Sequence, residues 1–339
     1  MAKIAATGWR YARSGPLSSV LKIENYELRP TENEAVVQIM SAPLHRVDAA
    51  IINGTALGRK RVNINHFPRV AGCEGVGKVT WISKKCTDSL VKVGDMVWVA
   101  PLHGTWANAI AVPPTCLHRI DPAYASLAVN ASNYLAAQHL LEGYARLRKD
   151  QVVIQNGGSS VTSLAVSALA RTQGLKVLTA ASPSERFADA KGRHAAFGSE
   201  VFEYNAKGAR EMEKVLGNGR GAALYLNGVG GRFFDYFMRL VAPGGEVVTY
   251  GAQNSFGLML SGSSFISREI TMQGFFLPTY LDSLSYQERQ TQLDFVLRAL
   301  ALEKFEYPVL TAESLEKLPE VWDELFVRGG RKGVLKLFE

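Results

Sequence analysis

Val152-Val153-Ile154-Gln155-Asn156-Gly157-Gly158-Ser159-Ser160-Val161-Thr162-Ser163 passes from a short apolar run, through a turn of glycine and serine, into a helical pattern. Such a turn between strand and helix leaves backbone N–H groups aimed at a phosphate and lets a pyrophosphate come close. No register gives a full G-x-G-x-x-G, and Ser163 or a neighbour stands where a third glycine would pack the helix. By itself the stretch reads equally as a dinucleotide loop or as a simple turn.

The flanking rhythm favours the loop. Further strand-like runs are expected at Lys176-Val177-Leu178-Thr179, Val201-Phe202, Ala222-Ala223-Leu224-Tyr225-Leu226, Glu246-Val247-Val248-Thr249-Tyr250 and Ile270-Thr271-Met272-Gln273-Gly274-Phe275. Helix-length amphipathic segments lie between them, around 161–172, 185–197, 209–216 and 233–241, the pattern of βαβ units on a doubly wound parallel sheet. Two more helices, at about 286–302 and 314–326, precede a last strand at 333–337. The first ~120 residues have a different rhythm. Ala35–Met40, Gly75–Ile82 and Met96–Ala100 are strand-like and separated by glycine and charged turns, as in a barrel-like antiparallel domain. The fold class is therefore α/β, with one domain at 122–283 and a β-rich domain formed by 1–121 and 284–339.

A length of 339 residues suits about two domains. With 47% hydrophobic and 20% charged residues, disorder, collagen and coiled coil are excluded as the main architecture. No apolar run approaches the ~18 residues of a membrane span. Cys73, Cys86 and Cys116 are too scattered for a disulfide framework, which suits a reducing compartment. The net charge of +7 favours an anionic partner. Basic groups at 59–61, 84–85, 146–149 and 328–332 are short and not interleaved with aromatics, so solvated surface or a phosphorylated cofactor or carrier fits them better than nucleic acid. The first 22 residues are basic without an acid, as in a mitochondrial presequence, yet already read as fold.

At the end of the second parallel strand the sequence is Ala180-Ala181-Ser182-Pro183-Ser184-Glu185-Arg186. Two hydroxyls and an arginine suit a ribose 2′-phosphate better than a free 2′-hydroxyl, so NADPH is expected; Ser184 also reads as a helix N-cap. Asn227-Gly228-Val229-Gly230-Gly231, Tyr250-Gly251-Ala252-Gln253 and Phe275-Phe276-Leu277 close the later strands, and such strand ends ring the ligand crevice of open α/β sheets.

The order of these parts resembles the medium-chain dehydrogenase/reductase superfamily, with a GroES-like catalytic domain and a Rossmann domain. Val153–Asn156, Val229–Gly231, Ala242–Gly251 and Gly274–Leu277 resemble its zinc-independent 2-enoyl thioester reductase branch, with quinone oxidoreductases next nearest. The resemblance implies Asn130 beside the nicotinamide ribose, Ser159, Ser160, Val161 and Thr162 at the pyrophosphate, and Ser182 and Ser184 where the family places arginines for the 2′-phosphate. It further implies Tyr250, Gly251, Ala252, Gln253, Phe275, Phe276 and Leu277 around the nicotinamide, and Lys332 near the cofactor. Asp48 in His45-Arg46-Val47-Asp48 and Gly72-Cys73-Glu74-Gly75 match the substrate side.

One departure concerns the proton donor. Enoyl thioester reductases use a tyrosine after the matching Asp, whereas here Ala56 takes its place and no tyrosine occurs from Ala49 to Phe67. His66, Lys60 or water is the expected substitute. Zinc is not expected, since Cys73 falls where the zinc enzymes show histidine and His103 and His118 lack close partners in sequence. The resulting expectation is NADPH-dependent reduction of a 2-enoyl thioester on CoA or acyl carrier protein, in the cleft between the domains. The rivals are a quinone or enone reductase and a nucleotide-binding protein without turnover. A homodimer, in the cytoplasm or mitochondrion, follows from the resemblance.

Overall fold

The computed structural model describes residues 3–55, 67–217, 221–252, 257–327 and 331–338. The chain groups into two compact units. The first comprises 1–132, 285–297 and 306–339, and the second 133–284 and 298–305. The division thus falls inside the helix Ala131–Glu142, a helix absent from the expected set, and eleven residues beyond the boundary expected at 121/122.

The first unit opens with β1 (Ile4–Tyr11), β2 (Lys22–Leu28), β3 (Ala35–Leu44), β4 (Arg69–Val70), β5 (Gly75–Ile82), β6 (Met96–Val99), β7 (Ala109–Val112) and β8 (Leu117–Arg119). A small antiparallel sheet has the order β2-β1-β4. In the larger sheet β3 carries Ala35, Val36, Val37, Ile39, Ala42 and Leu44 inward, all essentially buried. All of these except Val36 join Trp9, Trp106 and Leu117 in one apolar cluster, where each valine, isoleucine or leucine contributes about 1.5–3 kcal/mol by leaving water.

The second unit carries β9 (Val152–Gln155), β10 (Lys176–Ala181), β11 (Glu200–Glu203), β12 (Ala222–Asn227), β13 (Val241–Thr249) and β14 (Thr271–Gly274). All six are parallel in the order β11-β10-β9-β12-β13-β14, so the expected doubly wound sheet is present with its reversal between β9 and β12. The helix Val161–Thr172 has the bounds expected from its pattern and buries ten of its residues. Its start is fixed by Ser160, whose hydroxyl accepts the Ser163 N–H at 3.1 Å.

Other boundaries differ. The helix expected at 185–197 covers Phe187–Ala195, with Arg186 at its N-cap position, because Ser184 is taken up in the preceding turn, accepting the Phe187 N–H at its carbonyl. The helix expected at 233–241 shortens to Phe234–Met238, since Leu240 and Val241 turn into β13. The segment expected as a helix at 314–326 is helical at Leu318–Trp322 and continues as a π-type turn.

β15 (Val309–Ala312) and β16 (Lys332–Lys336) return to the first unit's larger sheet, completing the order β15-β16-β3-β5-β6-β8 with β7 also on β3. β16 runs antiparallel to β3 with Gly333 opposite Leu44, which sets Lys332 beside the residue that follows β3, His45.

Candidate functional site

In the second unit the β9 turn is built for close approach. Gly157 adopts φ +74°, a conformation that side chains disfavour. A Cβ on Gly158 would lie 2.7 Å from Thr179 Cγ2 and 3.0 Å from Ala181 Cβ, so only glycine lets the turn press onto β10. Below it lies a buried polar belt. Gln155 Nε2 donates to the Ser163 carbonyl at 2.9 Å and to Thr179 Oγ1 at 2.9 Å. His194 Nε2 reaches the Gly158 carbonyl at 2.8 Å, and Nδ1 reaches Ser167 Oγ at 2.8 Å. A carbonyl only accepts, so Nε2 carries the proton. Burial pushes the His194 imidazole down to about 4, so the ring that props the turn is neutral at neutral pH.

The neighbouring strand ends are laced together. Asn156 Nδ2 donates to Tyr225 Oη at 2.8 Å and Asn227 Oδ1 at 2.7 Å, while its Oδ1 accepts the Gly228 N–H at 2.6 Å. Tyr250 Oη lies where a Gly228 Cβ would sit, 2.7 Å away, and a Cβ on Gly251 would fall 2.5 Å from the Gly228 carbonyl oxygen. The Tyr250 hydroxyl also bonds the Ser160 side chain, and burial pushes the phenol upward, so it stays protonated. Ser160, Gly228, Tyr250 and Gly251 therefore meet at the carboxyl ends of β9, β12 and β13.

The remaining expected residues divide. Ser159 and Val161 lie at the start of the helix, and Thr162 Oγ1 accepts from Asn133 Nδ2 at 2.8 Å. Ser182 and Ser184 are exposed beyond β10, with Arg186 half-buried next to them. Ala252 is exposed. Phe275 continues β14, and its ring packs 5.2 Å from His139 in an aromatic group with Tyr144 and Tyr280, with half-buried Phe276 and Leu277 following. Ala56, Lys60, His66 and Gln253 lie outside the described residues.

The first unit holds an ionisable cluster that sequence reasoning did not assemble. Glu74 is fully buried. Its Oε2 accepts from Trp98 Nε1 at 2.7 Å, Ser132 Oγ at 2.7 Å and the Ser132 N–H at 3.0 Å. Its Oε1 meets His45 Nε2 at 2.6 Å, and His45 Nδ1 meets Lys332 Nζ at 2.6 Å. The carboxylate makes Nε2 the donor, so Nδ1 turns its lone pair to the lysine. Burial pushes the Lys332 ammonium down to about 8 despite the pull of Glu74 and Asp48. Asp48 accepts the His45 N–H at 2.6 Å. Burial raises its carboxyl, and raises the Cys73 thiol next to it still further, so the thiol stays protonated. Asn130, also buried, has no partner for Oδ1 among the described residues. His45, Glu74 and Lys332 share no spacing signature, and they meet because β3 pairs with both β5 and β16.

Among the described residues no group of three or more His, Cys, Asp and Glu side chains is arranged to hold a metal ion. Nor is any helix among them long and apolar enough to cross a membrane.

Two family models match the chain: alcohol dehydrogenase GroES-like domain over residues 31–122 and zinc-binding dehydrogenase over 162–297. The mitochondrial enoyl-[acyl-carrier-protein] reductase of Arabidopsis thaliana is 28% identical over 331 residues, spanning 95% of this chain and 85% of that protein. Among solved structures, a Bacillus thuringiensis protein described as an NADPH:quinone reductase has TM-score 0.86 at 18% identity, over 99% of this chain and 100% of that one. The Candida tropicalis 2-enoyl thioester reductase Etr1p, in complex with NADP and crotonyl-CoA, has TM-score 0.84 at 19% identity, over 98% and 100%. With a GroES-like unit closed by the return strands and a six-stranded parallel sheet bearing a glycine-serine turn, the chain belongs to the medium-chain dehydrogenase/reductase superfamily.

Proposed function

We propose that the protein is an NADPH-dependent oxidoreductase that reduces the activated carbon–carbon double bond of a trans-2-enoyl thioester, carried on CoA or an acyl carrier protein. One observation carries the substrate reading: the similarity to the Arabidopsis enoyl-[acyl-carrier-protein] reductase runs through both units, over 95% of this chain. The second unit fits the cofactor. The Gly157–Thr162 turn offers backbone N–H groups and a helix start to the pyrophosphate, with Gly158 and Gly251 leaving room that a Cβ would fill. Ser182, Ser184 and Arg186 present hydroxyls and a cation, with no aspartate at the end of β10, and this supports a 2′-phosphate.

Bound NADPH supplies a hydride to the β-carbon of the thioester. Tyr250, Gly251 and Ala252, with Phe275, Phe276 and Leu277, would hold the nicotinamide end. Catalysis is then chiefly positioning, and a proton is needed at the α-carbon.

A quinone or enone reductase is the second reading. It is favoured by Ala56, because solvent protonates a reduced quinone without a tyrosine, and by the fold of the Bacillus thuringiensis neighbour. A homodimer is supported by β14, an edge strand exposed at all four positions and free to pair with a second copy. The mitochondrial relatives support a mitochondrial location.

The test is NADPH oxidation by the purified protein with a trans-2-enoyl-CoA and a 1,4-quinone in parallel, with NADH as control. Turnover of the thioester with NADPH is expected. Turnover of the quinone alone moves the protein to the second reading, and NADPH binding without turnover of either refutes both.

A further inference from the structure

Lys332 is 8% exposed, and among the described residues the only hydrogen-bond partner of its Nζ is His45 Nδ1 at 2.6 Å. An ammonium has three N–H bonds, so two are left without a protein acceptor among the described residues. Buried donors left open in this way are costly unless a ligand completes them. His45 is itself held from the far side by Glu74 at 2.6 Å, and Glu74 is fixed by Trp98 and both donors of Ser132. The charged or titratable groups facing the amine are Glu74, Asp48, Cys73 and His45, with Arg69 and Tyr11 beyond Asp48 and Cys73. This is a rigid chain of carboxylate, imidazole and amine that ends on a donor with unfilled bonds.

We propose that Lys332 is the proton donor of the reduction and that His45 and Glu74 are its positioning residues. The role rests on the thioester reading above. Hydride adds at the β-carbon and leaves an enolate. The enolate electron pair then takes a proton from the Lys332 ammonium, breaking an N–H bond and forming the α-carbon C–H bond. The amine keeps its own electron pair and is recharged from water. His45 Nδ1 stabilises the ammonium by accepting one N–H, and Glu74 fixes the tautomer that makes this acceptor available. Such a chain supplies what the tyrosine absent from 49–67 would otherwise supply.

The test compares wild type with Lys332→Met, Lys332→Ala, His45→Gln and His45→Leu in NADPH-dependent reduction of trans-2-butenoyl-CoA across pH 6–9.5, with thermal melting as the folding control. The proposal expects wild-type kcat to fall above about pH 8. It expects Lys332→Met and Lys332→Ala to lose about 10²-fold in kcat together with that alkaline limb, and methylamine to restore part of the Lys332→Ala rate. Glutamine at 45 still donates to Glu74 and accepts from Lys332, so His45→Gln keeps the limb. His45→Leu moves it to lower pH, because the acceptor that stabilises the ammonium is gone.

Folded lysine variants that retain wild-type kcat and limb overturn the proposal. So does a Lys332→Ala rate loss that amines leave untouched, which would assign the side chain to cofactor binding alone. Wild type that reduces no enoyl thioester refutes the function itself and this role with it.

Discussion

His118 offers a quantitative test of how the first unit is held together. The ring is completely buried, sits 4.6 Å from Tyr286 and 5.8 Å from Trp98, and among the described residues neither nitrogen has a hydrogen-bond partner of normal geometry, the Gln290 side chain being a polar group that acts on it. Burial pushes its pKa from 6.5 down to about 4, with the Arg289 guanidinium adding to the effect. Between these values the unfolded chain binds a proton that the folded chain refuses, so stability falls as pH falls through 6.5 and the loss is complete below about 4. At 1.36 kcal/mol per unit the full loss is about 3 kcal/mol, of which about 2 kcal/mol is reached at pH 5.

All five tryptophans, Trp9, Trp81, Trp98, Trp106 and Trp322, belong to the first unit, so their fluorescence in urea reports this unit alone. With a slope of about 2 kcal/mol per molar urea, the midpoint should drop by about 1 M between pH 7 and pH 5. Carboxylates titrate nearby, and His118→Phe separates them out. It keeps the aromatic stack, removes the titration and should flatten the dependence by that amount. An unchanged pH dependence in His118→Phe would refute the reasoning.

Further expectations concern the second unit. Gly251→Ala sets a Cβ 2.5 Å from the Gly228 carbonyl oxygen, where backbone must move, and should destabilise by about 1–3 kcal/mol in calorimetry. Arg186→Glu should weaken NADPH binding about tenfold or more by titration calorimetry while leaving NADH within a factor of three, as loss of a charge-assisted contact to a 2′-phosphate requires. His194 is neutral below its ordinary range for the same reason as His118. NADPH affinity should therefore be insensitive to this ring as pH falls from 6.5 to about 5 and weaken as pH falls through about 4, where the ring propping Gly158 takes up a proton, and His194→Gln should reduce that acid-limb dependence.

The parallel sheet was legible because its signals are local. β9, β10 and β12 are apolar runs bounded by glycine, and helix 161–172 announces its own start at Ser160. β13 was legible only from Glu246, although it begins at Val241, because Pro243-Gly244-Gly245 reads as a turn; the sheet absorbs it through a register shift opposite Ala222 and Leu224. The phosphate-type turn was readable in composition, but its prop, His194, is a lone histidine in the next crossover helix. Least legible was the cluster in the first unit. Glu74 lies 29 residues from His45, and Lys332 lies 287 from it. Antiparallel pairing of β3 with β5 on one side and with the return strand on the other brings them to one place. Lys332 could be named from resemblance, yet its imidazole partner could not, since a single histidine ahead of a helix carries no periodic signal.

The central claim is hydride transfer to an enoyl thioester, and isotopic labelling tests it most directly. The protein is incubated with NADPH deuterated at the transferable C4 position and trans-2-butenoyl-CoA in ordinary water, and the product is analysed by mass spectrometry and NMR. The account predicts one deuterium in the saturated thioester, at the β-carbon, with ordinary hydrogen at the α-carbon. A saturated product without label at the β-carbon, or labelled NADPH left unconsumed beside intact butenoyl-CoA, would contradict it.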